Sequence, residues 1–230
     1  MTSVPLALAA MALASAAPAK GPHVPAHGTQ PKPAAEAAAE HAPAPPAPQR
    51  SPGAERVAAW IASSADNQGL PYIIIDKPAA RAYLFNAKGK PLADAPVLLG
   101  KMRGDEATPG IGAKSLSEIG PAEKTTPAGR FLAKFGIAAG NQKVLWVDYA
   151  TSVALHTIPV GNKENRKARL LSRSIEDNRI TFGCINVPQA FYGKGVAPLF
   201  RKKGGYVYVL PDVKPIEDVF PRLRVHAASQ

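Results

Sequence analysis

Cysteine is nearly absent from this chain: Cys184 is the only one in 230 residues. A single thiol excludes an intrachain disulfide framework and any zinc centre built on paired cysteines. Acidic residues are scarce beside basic ones, 17 against 28, and the formal charge is +11. That imbalance asks for an anionic partner. Nucleic acid does not suit it, because zinc-finger spacing, an RNA-binding aromatic signature and a basic helix with a dimerising heptad are all missing. A G-x-S-x-G elbow is missing too, which removes one common serine hydrolase arrangement.

Long apolar runs are also lacking. The opening stretch, Val4 to about Ala17, is too short to span a bilayer as a helix. It reads as a secretory signal peptide over residues 1–19, with small residues suited to cleavage near Ala16 or Ala19, although no Lys or Arg precedes it. Export to the periplasm or cell envelope follows, with no transmembrane segment after cleavage. Residues 20–54 carry 9 Pro and 10 Ala and show no hydrophobic periodicity. Such a segment cannot bury enough apolar surface to offset its ordering entropy, so it is expected to be a disordered, semi-extended spacer. The remaining 55–230 is one domain's worth of chain.

Within that domain, helical spacing of Val57, Trp60, Ile61 and Ser64 predicts a short amphipathic helix over 54–66. The period then shortens, predicting strands over Tyr72–Asp76, Arg81–Asn86 and Pro96–Leu99, with a turn at Lys88-Gly89-Lys90. Further strands are expected in 129–137, 143–150, 152–158 and Tyr206–Asp212. Residues 101–125 are polar and aperiodic, an excursion of the kind that borders functional sites. Between Val160 and Gly205 ten Lys or Arg face three acids, and Ala168, Leu171 and Ile175 form one helical stripe. A helix entered through Pro188 follows the cysteine. The pattern is mostly β, with a few short helices.

A lone cysteine pairs with another chain, is buried and inert, or is a nucleophile. Three of the five histidines lie before residue 50 and His226 lies near the end, which leaves His156 as the one histidine of the predicted core. One Cys and one core His do not make a zinc site, but they do make a testable pair. Each closes a strand-like run, and an imidazole at hydrogen-bond distance would lower the thiol pKa and return the proton to a leaving amine. Gly183 removes bulk before the thiol, and the N–H groups around Gly183 and Cys184 are candidate oxyanion donors; a plain tight turn explains the glycine equally well.

Thr181-Phe182-Gly183-Cys184-Ile185-Asn186 resembles the signature [S/T]-H-G-C-h-[N/R], h being apolar, of the L,D-transpeptidases with a YkuD-type catalytic domain, at five of six positions. Thr126-Pro127-Ala128-Gly129-Arg130-Phe131 resembles that family's T-P-x-G-x-F stretch, and 72–85 resembles its first hairpin. Together these cover most of 72–212. The resemblance implies a YkuD-like β-sandwich or barrel-like domain with the site at one end. It implies Cys184 as nucleophile, His156 as base, and Thr157 beside the base, its hydroxyl or its carbonyl orienting the ring. Thr181, Phe182 and Asn186 would line the substrate, and Arg179, Arg173 and Lys194 would supply anchors for stem carboxylates; a solvated basic face accounts for any one of those three as well. The implied reaction is attack on a peptidoglycan tetrapeptide stem, loss of D-Ala, and resolution of an acyl-thioester by an amine, without metal or cofactor. Resolution by water, giving an L,D-carboxypeptidase or hydrolase, and a non-catalytic wall-binding module are the competing readings. Phe182 departs from the family's histidine, and the 24 residues between His156 and Thr181 are a longer gap than usual.

Overall fold

The computed structural model describes residues 49–161 and 163–227. The expected signal peptide and nearly all of the expected spacer lie outside those residues.

Helix α1, Pro52–Ser64, starts two residues earlier than its apolar spacing suggests. The Ser51 hydroxyl accepts the Ala54 N–H at 3.1 Å, Pro52 occupies the first turn, and Ala65 in the left-handed region ends the helix. Val57, Trp60 and Ile61 are buried, and Ser64 faces solvent. They pack on Tyr72, Ile74, Tyr208 and Phe220, with the Trp60 ring edge-on to Tyr208 at 6.1 Å. Each such aliphatic side chain contributes about 1.5–3 kcal/mol by leaving water.

Ten strands follow in chain order: β1 Tyr72–Asp76, β2 Arg81–Phe85, β3 Pro91–Pro96, β4 Leu99–Gly100, β5 Gly129–Ala138, β6 Gln142–Asp148, β7 Val153–Thr157, β8 Arg179–Thr181, β9 Ile185–Val187 and β10 Gly205–Val209. Eight form one mixed sheet in the order β3-β2-β1-β10-β5-β6-β7-β9, and β4 pairs with β8 separately. β1 runs parallel to β10 and β7 parallel to β9; the other pairs of the large sheet are antiparallel. Leu98, just beyond β3, exchanges both backbone hydrogen bonds with Asn186 of β9. This contact brings the two ends of the sheet together, so the domain is mostly β and nearly closed, with Ile73, Leu84, Leu99, Leu145, Leu155 and Val207 inside.

The third strand lies earlier than Pro96–Leu99. β3 is an edge strand with Pro91, Leu92 and Ala93 exposed, so it needs no apolar run to announce it. Val97, Leu98 and Leu99 are apolar because they fill the closure of the sheet. The basic segment between β7 and β8 holds helix α2, Arg166–Leu170. Leu170 is its buried residue, whereas Leu171 and Ala168 are exposed, so the expected stripe does not form: one turn and a half is too short to present it. After β9, Pro188 is followed by a π-helical turn, Phe191–Val196, and helix α3, Ala197–Phe200, which cover the interior through Phe191, Val196 and Phe200. Two short C-terminal helices, α4 Ile216–Val219 and α5 Arg222–Ala227, close over α1. Among the described residues no helix is long and apolar enough to cross a membrane.

Candidate active site

The parallel pairing of β7 with β9 sets Leu155 against Ile185 and His156 against Asn186. Cys184 immediately precedes β9, so the thiol and the imidazole come from adjoining strands two register steps apart. Thr181 closes the turn between them and β8. Its hydroxyl donates to the Cys184 carbonyl oxygen at 2.6 Å and accepts the Gly183 N–H at 3.1 Å. Gly183 has φ +132°, and a Cβ there would lie 2.8 Å from the Thr125 carbonyl oxygen. Only glycine meets both conditions without strain. Because the Gly183 N–H already serves Thr181, the N–H of Cys184 is left as the nearer candidate oxyanion donor.

His156 is half-buried, and its Nδ1 lies 2.7 Å from the Thr157 carbonyl oxygen. The backbone carbonyl of Thr157, not its hydroxyl, therefore orients the ring. Nε2 lies 3.3 Å from Asn186 Nδ2, and Asn186 Oδ1 accepts from Arg166 Nη1 at 2.8 Å. No hydrogen bond joins His156 to Cys184. The Cys184 Sγ instead lies 3.7 Å from the Ser152 carbonyl oxygen. Burial pushes the thiol above its ordinary value, against the Ala154 N–H and the positive charge of Arg166. Burial also lowers the His156 pKa; the Thr157 carbonyl opposes this and the Arg166 charge adds to it. The resting pair is thus neutral thiol and neutral imidazole, not the thiolate expected of a directly bonded pair.

The sulfur faces a pocket of about 80 Å³ walled by Ile111, Lys114, Glu123, Thr125, Ser152 and Phe182. That is far below the several hundred Å³ of a typical small-molecule site, so only the reacting end of a substrate fits inside. Two turns of the polar excursion, Ile111–Ala113 and Pro121–Glu123, build one wall. Lys114 pairs with Glu123 at 2.6 Å, and the Lys124 ammonium sits 3.9 Å above the Phe182 ring. The position where the resembled family has histidine therefore carries a cation–π contact that ties the excursion to the cysteine turn.

The expected carboxylate anchors lie elsewhere. Arg179 is buried and bonded to both oxygens of Asp212 and to the Lys77 carbonyl. Arg173 and Lys194 are exposed and line no part of this pocket. Reading the sequence alone missed Arg166, one cation among ten in its segment, and Lys77, whose burial nothing local signals. Lys77 is fully buried and donates to Asp105 at 2.9 Å, to the Gly104 carbonyl at 2.5 Å and to the Thr126 carbonyl at 2.8 Å, with Asp212 at 3.3 Å. Two cations and two carboxylates thus neutralise one another behind the cysteine turn. Among the described residues no group of three or more His, Cys, Asp or Glu could hold a metal ion.

No protein-family model matches the chain, and no curated protein matches it. Solved structures similar to it include the L,D-transpeptidase of Enterococcus faecium, at 17% identity and TM-score 0.36, covering 60% of this chain and 49% of that one. Another is the helical cell shape determining protein Pgp2 of Campylobacter jejuni, at 14% identity and TM-score 0.43, covering 78% and 64%. A third is an L,D-transpeptidase from Mycobacterium smegmatis, at 17% identity and TM-score 0.32, covering 60% and 58%. The chain spans about half to two thirds of the length of each.

Proposed function

We propose that this protein is a cysteine L,D-transpeptidase acting on peptidoglycan stem peptides in the cell envelope. The observation that carries the reading is the adjoining-strand placement of Cys184 and His156, with the imidazole held through Nδ1 and Nε2 turned to Asn186, two residues past the cysteine. In the proposed reaction His156 Nε2 takes the Cys184 proton as Sγ bonds to the donor carbonyl carbon. The tetrahedral oxyanion is met by the Cys184 N–H, D-Ala leaves with the proton from His156, and an acyl-thioester remains. An acceptor amine attacks the thioester, gives its proton to His156 and restores the thiol. Burial raises the thiol pKa, so attack depends on a base that takes its proton. The Lys124 ammonium beside Phe182 suits a stem carboxylate, whereas Lys114 is already paired with Glu123, and export places the domain beside such stems.

The test is incubation of the purified protein with disaccharide-tetrapeptides, followed by mass spectrometry. A crosslinked dimer that has lost one D-Ala is expected. Tripeptide alone would assign the carboxypeptidase outcome, and unchanged substrate would leave the wall-binding reading. Cys184→Ser should abolish product, and His156→Ala should slow acylation by about 100-fold or more with the fold intact.

A further inference from the structure

Asn186 is fully buried, and its side-chain amide is held from both sides. Arg166 Nη1 meets Oδ1 at 2.8 Å, Nδ2 meets His156 Nε2 at 3.3 Å, and His156 Nδ1 meets the Thr157 carbonyl oxygen at 2.7 Å. These contacts dictate one another. A guanidinium only donates, so the amide atom facing it is the carbonyl oxygen. The amide nitrogen then points at Nε2 and only donates, so Nε2 presents its lone pair and the proton sits on Nδ1. The Thr157 carbonyl accepts that proton, which closes the chain of assignments. Arg166 is itself fixed by Glu164, at 2.6 and 2.8 Å.

We infer that Arg166 is a positioning residue, which sets the tautomer of His156 through the side-chain amide of Asn186. The consequence for reactivity follows from the same atoms. With an amide N–H on Nε2, the lone pair that would take the Cys184 proton is occupied. When Arg166 leaves Oδ1, the amide is free to turn over, and Oδ1 then faces Nε2 and stabilises the imidazolium. The bistable element is the Asn186 amide, and α2, which carries Arg166, biases it. Arg166 is the charge that acts on His156, Glu164 pairs with its guanidinium, and the neutral Cys184 lies two register steps away. The catalytic consequence rests on His156 being the base. The tautomer assignment does not.

The experiment is long-range proton–nitrogen NMR of the 15N-labelled full chain, with the His156 signals assigned by their loss in His156→Gln. The unaltered protein should show the Nδ1–H form. Arg166→Met, which keeps volume and removes every donor, should show both tautomers and an imidazole midpoint higher by about half a unit or more. Arg166→Lys should restore the Nδ1–H form. Glu164→Gln changes an exposed side chain and leaves the Arg166 charge unbalanced, so it should lower the midpoint while keeping the tautomer, and it serves if Arg166→Met does not fold. An unchanged tautomer and midpoint in folded Arg166→Met, or an unchanged midpoint in Glu164→Gln, overturns the inference. No substrate is involved, so loss of crosslinking activity with these shifts intact would count against the proposed reaction alone.

Discussion

Thr126 Oγ1 donates to the carbonyl oxygen of Gly183 at 2.8 Å, joining two sequence motifs 57 residues apart. The same hydroxyl accepts the Gly100 N–H at 2.8 Å, and the Thr126 carbonyl receives Lys77 Nζ. The threonine of the T-P-x-G-x-F stretch is therefore the backing of the cysteine turn. Thr126→Val strands a buried N–H and a buried carbonyl and should cost about 2–4 kcal/mol of unfolding free energy in urea titrations. Thr126→Ser should stay within about 1 kcal/mol. Equal stability of the valine and serine variants would remove this role.

Gly183→Ala meets both a φ of +132° and the Thr125 carbonyl oxygen 2.8 Å from the new Cβ. Left-handed strain alone costs about 1–3 kcal/mol, and relief of the contact must move the cysteine turn or the excursion. A lower melting temperature together with altered Cys184 alkylation is expected. A variant that matches the unaltered protein in both measurements contradicts the geometry.

Asp105 gives stability a defined acid limit. Burial pushes its carboxyl up, but the N–H groups of Lys214 and Asp212, the Lys77 ammonium and the Val213 N–H together hold it down, at about 2. Its folded value is below the unfolded one, so the contribution is present above about pH 4 and is lost as pH falls through about 2. At about 1.4 kcal/mol per unit it amounts to roughly 2 kcal/mol. Denaturant titrations at pH 5, 3 and 2 should show that loss, and Asp105→Asn should flatten it. Lys77→Met leaves the buried carboxylates of Asp105 and Asp212 without the ammonium and should cost about 3–5 kcal/mol at pH 7.

The Cys184 thiol of the free protein should alkylate slowly at neutral pH. Its pKa is raised from the ordinary 9.0 by burial. Less than about 1% is then thiolate at pH 7. Iodoacetamide rates should climb through pH 9 and beyond, and an inflection below about pH 7.5 would show that the resting thiol is already activated.

Lys124→Gln should release the excursion from Phe182 while costing only about 0.5–1 kcal/mol. Amide exchange in 111–125 is expected to quicken and Cys184 alkylation to rise. Phe182→His should keep the fold and weaken this tie, because a neutral imidazole is a poorer partner for the ammonium. Unchanged exchange in both variants would mean that the contact does not hold the excursion.

Much of the strand pattern is legible in the chain because strands buried on both faces appear as short apolar runs bounded by turn residues. β1 and β2, buried almost throughout and paired with Tyr72 against Phe85 and Ile74 against Tyr83, are examples. β3 is not legible as placed, since Pro91, Leu92 and Ala93 are exposed and only Ala95 is buried, which leaves no apolar alternation to read. The proposed reactive pair comes from scarcity: one cysteine and one core histidine leave Cys184 and His156 as the candidates.

Composition and local pattern by themselves pointed to a mostly β domain after a Pro/Ala-rich segment and to a single cysteine, too few for an intrachain disulfide; the φ of +132° at Gly183 came only with the tertiary structure. The partners of charged and polar side chains depended on closure of the sheet. Arg179 turns inward to Asp212 because β8 pairs with β4 under the excursion, and Arg166 reaches Asn186 because the segment after β7 folds back over β9. The physical reason is range. Hydrophobic periodicity is a property of neighbours in sequence, whereas an ion pair or an amide's orientation is decided by whichever group arrives within about 3 Å, here from residues 20 to 33 positions away.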